Sequence, residues 1–212
     1  MSDLSEFQHP RFARMYERIS AEADQRGTGR HRERALAGLS GRVIEIGAGN
    51  GWNFRYYPST VTEVVAVEPE DSLRARAEQA AATAPVPIRV IPGHAGALPS
   101  ADAEFDAAVF SLVLCSVPDV DAALAEARRA VRPGGEVRLF EHVRSATPLI
   151  ARFQDAITPL WYRIAGGCRL NRDTTAALHR AGFDVEVLER FAYAPTRFAP
   201  PHAHVLARAR RP

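Results

Sequence analysis

Along the chain the apolar positions switch between two spacings. From residue 8 to about 38 they recur at turn-like intervals, at Phe12, Tyr16, Ile19, Leu36 and Leu39, which predicts helix, and Gly27-Thr28-Gly29 divides it in two. Arg42-Val43-Ile44-Glu45-Ile46 is a short apolar run entering a glycine loop, the pattern of a buried strand. Val61–Val67, Pro87–Ile91, Phe105–Leu112 and Glu136–Glu141 predict four more strands. Between them an Ala/Arg/Glu-rich stretch predicts a helix over 71–82. Asp119 opens another to about Val131, which Pro133-Gly134-Gly135 stops. A helix follows over 148–164, then a Gly166-Gly167 break, then a helix over 173–181 that Gly182 ends as a C′ glycine. Strands near 184–191 and 202–209 close the chain.

Strands alternating with helices in this order imply a doubly wound parallel sheet. The last two strands have no helix between them, so an antiparallel final pair is expected. No internal repeat, low-complexity tract or interdomain linker interrupts the pattern.

Composition narrows the partners. With 27 basic and 25 acidic residues the formal charge is +2, too small to argue for nucleic acid on electrostatic grounds. Every basic residue is arginine; the chain has no lysine, which removes lysine as a base or Schiff-base nucleophile. Two cysteines, Cys115 and Cys168, are too few for a disulfide framework and do not lie at a metal-binding spacing. The first 20 residues lack a signal-peptide pattern, and no run approaches the about 18 apolar residues of a membrane span. A cytoplasmic protein without a membrane anchor is expected, a monomer or small homo-oligomer.

The strongest local signal is Glu45-Ile46-Gly47-Ala48-Gly49-Asn50-Gly51. Glycine permits the tight turn and lets backbone approach a ligand. The dinucleotide spacing G-x-G-x-x-G fails at its third glycine, where Trp52 stands. At the end of the second strand, Glu68-Pro69 places a carboxylate where this fold accepts hydrogen bonds from ribose hydroxyls; a plain surface glutamate is the competing reading.

The pattern E-x-G-x-G-x-G at the first strand closely resembles the first motif of class I S-adenosylmethionine-dependent methyltransferases. Asn53, Tyr57 and Pro58 follow it. Later come Leu112–Val117, Arg132–Gly135, Phe140–Val143 and Gly167–Asp173. Together they resemble the methyltransferase-like 7 group and its bacterial relatives from about residue 40 onward. The resemblance implies an α/β Rossmann-like sandwich with a seven-stranded, mostly parallel sheet and an antiparallel last strand. It implies one methyltransferase domain over 1–212, with an N-terminal helical cap (1–40), a cofactor-binding half (41–145) and an acceptor-side half (146–212). The cofactor implied is S-adenosylmethionine, with S-adenosylhomocysteine as product.

In that reading Gly47, Ala48 and Gly49 lie under the methionine part, and Glu45 orients the loop or holds the amino group. Tyr16 closes over the methionine end, with core packing as its alternative, and Asn53 belongs to the same loop. Glu68 and Pro69 flank the ribose. Many relatives carry an acidic residue where this chain has His94, so an adenine contact there falls to the backbone of Ala95. Ser111 and Leu112 form the floor beneath the cofactor.

Known members of the group methylate small thiols, so the resemblance implies S-methylation of a small hydrophobic acceptor. A thiol with pKa ~8.5 needs little general-base help. His142, straight after the fifth strand, is the candidate to contact the nucleophile, where strand ends bind ligands; a ring hydrogen-bonded into the cap is the equal alternative. Cys115 borders the acceptor pocket or is buried and inert, and Cys168 packs in its loop or lines the site. Trp161, Tyr162, Phe191 and Phe198 are candidates for an apolar wall. His202 and His204 point the same way on the last strand, without further metal ligands. Two other classes stay open: O-, N- or C-methylation of a small natural product or quinone-like ring, and a non-catalytic nucleotide-binding relative.

Overall fold

A computed structural model describes residues 4–197 and 201–212. Its β-branched runs become strands β1 (Gly41–Ile46), β2 (Val61–Val67), β3 (Ile88–Ile91), β4 (Phe105–Ser111), β5 (Val131–His142), β6 (Asp184–Tyr193) and β7 (His202–Arg210). The helical stretches become α1 (Pro10–Ala23), α2 (Gly29–Leu36), α3 (Asp71–Ala81), α4 (Val120–Ala130), α5 (Pro148–Ile164) and α6 (Thr174–Arg180). The strands form one sheet in the order β3-β2-β1-β4-β5-β7-β6, the Rossmann-like arrangement expected. β1 to β5 pair in parallel, and β7 runs against both β5 and β6. The reversed strand is thus inserted between β5 and β6. Strand order reverses at β1, which pairs β2 on one side and β4 on the other, and crevices for ligands open at such switch points.

Period-two alternation assigns the two sheet faces. Ile44, Ile46, Val65, Val67, Phe110 and Leu139 pack against Leu124 and Ala127 of α4 and Leu178 of α6. On the other face Val43, Val64, Ala66 and Val109 pack against Leu36, Leu39, Phe54 and Ala77. Residues such as Ile44 and Leu36 are fully buried, and burying a side chain of this size contributes about 1.5–3 kcal/mol.

Caps terminate the helices largely where the composition suggests. Asp119 accepts from the N–H groups of Asp121 (2.9 Å) and Ala122 (3.0 Å), and Asp173 accepts from Ala176 N–H (3.0 Å). Gly27 takes φ 120° between α1 and α2, the expected break. The fifth strand differs from expectation: it begins at Val131, directly after α4, instead of at Glu136. The pairing jumps from Phe105↔Val131 to Ala107↔Glu136, so the Pro133-Gly134-Gly135 segment bulges within the strand. There Gly134 adopts φ 77° and its N–H donates to Arg211 O at 2.8 Å. Among the described residues no helix is long and apolar enough to cross a membrane.

Candidate active site

At the carboxyl end of β1 the chain turns through Gly47 (φ 71°), Gly49 (φ 58°) and Gly51 (φ 79°). The N–H groups of Gly47 and Ala48 both donate to Val67 O, at 2.8 and 3.1 Å, binding the loop to the end of β2. A Cβ on Gly47 would stand 2.7 Å from a Val113 methyl, so glycine is required by both backbone angle and space.

Glu68 closes this loop from the next strand. Its carboxylate is buried and accepts from Gly49 N–H at 2.7 Å and Glu70 N–H at 3.0 Å. Burial pushes its pKa up to about 7, against the pull of those two donors. The side chain predicted for the ribose is therefore also the one that holds the glycine loop. Pro69 lends its carbonyl to Gln8 Nε2 at 2.9 Å.

Glu45, near the end of β1, is also buried. One oxygen accepts from Asn53 Nδ2 (2.9 Å) and the other from Tyr57 OH (2.7 Å). Arg32 of α2 donates to Asn53 Oδ1 (2.7 Å) and Ser111 Oγ (3.2 Å). Both oxygens of Glu45, like both of Glu68, accept from protein donors, which ties it to the segment that follows the glycine loop. Burial raises its pKa to about 7 despite Tyr57 and Arg32. From α1, Tyr16 lies 3.3 Å from where a Gly49 Cβ would be, and Ser20 Oγ accepts from Asn50 Nδ2 (3.1 Å) and Trp52 Nε1 (2.9 Å). The Asn50 amide oxygen is buried without a partner.

His94 stacks on Phe7, with ring centroids 4.8 Å apart, and Ala95 is buried behind it. Leu112 adopts φ 62°, a left-handed conformation a leucine rarely takes, and its N–H donates to Phe140 O at 2.7 Å. Such strain concentrates at ligand sites. No sequence signal announced it.

At the end of β5 stands Glu141, fully buried. It accepts from the N–H groups of Val113 (2.8 Å), Leu114 (2.9 Å) and Cys115 (3.3 Å), which fixes the chain leaving β4. Beside it, His142 Nδ1 lies 3.7 Å from both Cys115 Sγ and Cys168 Sγ. Burial, then the neighbouring His204 and His202, hold the His142 pKa well below 6.5, so the imidazole is neutral at pH 7. Trp161 packs with the two cysteines. Tyr162 instead lies half-exposed under Arg169, and Phe191 stacks on His31 of α2 at 4.2 Å. Neither joins the cysteine cluster, and Phe198 lies outside the described residues. Among the described residues two surface cavities lie elsewhere, about 570 Å³ near Arg128, Arg180 and Arg211 and about 270 Å³ beside Asn50 and Trp52. The carboxyl ends of parallel strands are where ligands bind in open α/β sheets.

Arg32 carried no sequence signal, and Tyr57, Glu141 and Arg172 stood only inside motif segments, with no role of their own. For these three the signal was faint: a lone acid in the apolar run Leu139-Phe140-Glu141, and an arginine and a tyrosine among many.

The chain is similar to known methyltransferases. A family described as a methyltransferase domain matches residues 44–139. The chain is 33% identical over 183 residues to the human thiol S-methyltransferase TMT1B, covering 83% of this chain and 74% of that one. It is 30% identical over 164 residues to a malonyl-[acyl-carrier protein] O-methyltransferase of Erwinia pyrifoliae, covering 76% and 57%. A solved SAM-dependent methyltransferase from Thermotoga maritima superposes with a TM-score of 0.72 at 23% identity, covering 95% of this chain and 97% of that one.

Proposed function

We propose, for a chain that belongs to the class I S-adenosylmethionine-dependent methyltransferases and to the family of the human thiol S-methyltransferase TMT1B, that it methylates the sulfur of a small hydrophobic thiol. S-adenosylmethionine is the cofactor of this family. The residues present fit it: a glycine cradle that a Cβ would fill, a buried carboxylate beside it and an unpartnered Asn50 oxygen. When bound, the cofactor supplies an electrophilic methyl group on a sulfonium and leaves as S-adenosylhomocysteine.

The chain's own residues then divide the work. Glu68 accepts from the ribose hydroxyls, while Gly47, Ala48 and Gly49 present backbone to the methionine part. Tyr16 covers that end and excludes water, which strengthens polar contacts beneath it. Pro69, His94 and Ala95 border the ribose and adenine, and Ser111 and Leu112 form the floor. Asn53 and Glu45 hold the loop in shape through Arg32 and Tyr57. Alignment of the acceptor against the methyl group is the main catalytic demand of an in-line displacement.

One observation carries the choice of acceptor. The strand-end rim consists of two thiols, a neutral imidazole and an indole, a soft environment that suits a sulfur nucleophile. His142 contacts that nucleophile and orients it. The relative named for O-methylation of an acyl-carrier substrate supports a second reading, in which oxygen is methylated. A mass-spectrometric assay with purified protein, cofactor and matched thiols, phenols and amines decides. Product on thiols alone is expected. Product on phenols or amines with thiols inert would overturn the thiol reading.

A further inference from the structure

Cys115 and Cys168 are far apart in sequence, yet the fold brings both to one nitrogen of His142. All three ligand atoms lie within 4.8 Å of one another. We propose that Cys115, His142 and Cys168 form a three-ligand site for a thiophilic divalent cation, zinc foremost, whose fourth corner receives the sulfur of the acceptor. The first half stands on geometry alone; the second rests on the thiol reading above.

The distances favour coordination over simple packing. Zinc binds sulfur at about 2.3 Å and imidazole nitrogen at about 2.0–2.1 Å, so a tetrahedral site has S···N edges of about 3.6 Å. Both observed S···N separations are 3.7 Å. Two of the three ligand-to-ligand edges, both sulfur to imidazole nitrogen, thus already have the length a tetrahedral zinc site requires. The ligands are also pinned. Glu141 holds the Leu114-Cys115 backbone, Cys115 O accepts from Arg169 N–H (2.8 Å), and Cys168 N–H donates to Ala165 O (3.1 Å).

Independent signs of a polar centre surround the cluster. The Trp161 indole faces the Cys168 sulfur as a hydrogen-bond donor, while His202 Nε2 is buried without a partner, its ring 5.8 Å from that of His142. An unpartnered buried nitrogen in a native fold calls for an explanation. Charge balances as well: two thiolates neutralise a divalent ion, and a third would be offset by Arg172, whose guanidinium is anchored on the carbonyls of Leu114 and Val117. A site with three protein ligands and an open corner follows the catalytic pattern, in contrast to closed structural sites.

The chemistry follows from the ion. An acceptor R–SH entering the open corner loses its proton to solvent, because a coordinated thiol ionises near neutral pH. The bound thiolate's lone pair attacks the methyl carbon and a new C–S bond forms. The methyl–sulfonium bond breaks with its electron pair remaining on the leaving S-adenosylhomocysteine. The product thioether is neutral, a weaker ligand, and departs. No protein base is needed.

Cobalt(II) reports on such sites by absorption. The reduced full-length protein, stripped by a chelator, should take up one Co²⁺ per chain. A thiolate-to-metal band in the near ultraviolet and tetrahedral visible bands should appear, and Zn²⁺ should erase both. Cys115→Ser and Cys168→Ser should each lose the near-ultraviolet band. Because a buried variant can misfold, the wild type supplies a second measurement: Zn²⁺ should protect both cysteines from a thiol reagent. Absence of the band and of protection, with both thiols reduced, overturns the site. A small alkyl thiol should shift the visible bands. Bands unmoved by a thiol that the enzyme nonetheless methylates overturn the open corner's role. Bands that shift without any methylation sink the thiol-transfer reading and leave the site standing.

Discussion

Glu68→Gln keeps the side chain's shape and removes its charge. In the folded chain this carboxyl is 5% exposed, and burial carries its pKa from 4.5 to about 7. At about 1.4 kcal/mol per decade, keeping Glu68 ionised costs the folded state roughly 3 kcal/mol at pH 8. The folded value lies above the unfolded one. The favourable contribution is therefore complete below pH 4.5 and is lost as pH rises through about 7. Glutamine does not titrate, so it removes that loss. It also turns an amide N–H toward one of the two backbone donors that Glu68 now satisfies, Gly49 and Glu70, at a cost of about 1–3 kcal/mol. The variant should be less stable than wild type at pH 5. Between pH 5 and pH 8 it should gain roughly 2–3 kcal/mol relative to wild type. Urea unfolding followed by circular dichroism at both pH values measures this. The other buried carboxyls are common to both proteins and cancel in the difference. Equal destabilisation at pH 5 and pH 8 would mean that Glu68 ionises in the fold as readily as in water, and the reasoning would fail. Cofactor affinity should move the other way: calorimetry at pH 8 should give a Kd roughly tenfold weaker, because a charged acceptor is lost. An unchanged Kd would remove Glu68 from the ribose.

Gly47→Ala should lose cofactor binding and about 2–4 kcal/mol of stability, since φ is 71° and the new methyl meets Val113 at 2.7 Å; a normal melting temperature and Kd would refute this. Arg32→Met should cost about 2–4 kcal/mol, because it strands Asn53 Oδ1 and removes the charge facing Glu45. Denaturant midpoints test it, and a neutral effect would show that α2 does not brace the loop. His142→Ala should lower kcat with cofactor Kd retained; unchanged turnover at saturating thiol would dismiss its contact with the nucleophile.

Much of the frame was legible locally. Asp119 and Asp173 cap helices because a short acidic side chain reaches N–H groups two or three residues on, a relation contained within one turn. The Gly47–Gly51 turn was equally visible, because left-handed backbone strongly favours glycine. Distant strands set the rest. The start of β5 depends on its pairing with Phe105 and on the Arg211 hydrogen bonds that hold the Gly134 bulge. Phe191, a candidate for an apolar wall or for core packing, stacks on His31 of α2 because β6 lies at the sheet edge beside β7.

The sequence alone thus determined the alternating α/β order, the glycine cradle and its acidic neighbour at the next strand end. Each rests on periodicity, turn chemistry or a fixed strand-to-strand step. Tertiary structure decided what those residues touch. It took both oxygens of Glu45 for Asn53 and Tyr57, gave Glu141 three backbone donors, and gathered Cys115, His142 and Cys168 around one point. Such contacts depend on strand register and on which segments cover the sheet ends, and no local spacing encodes either.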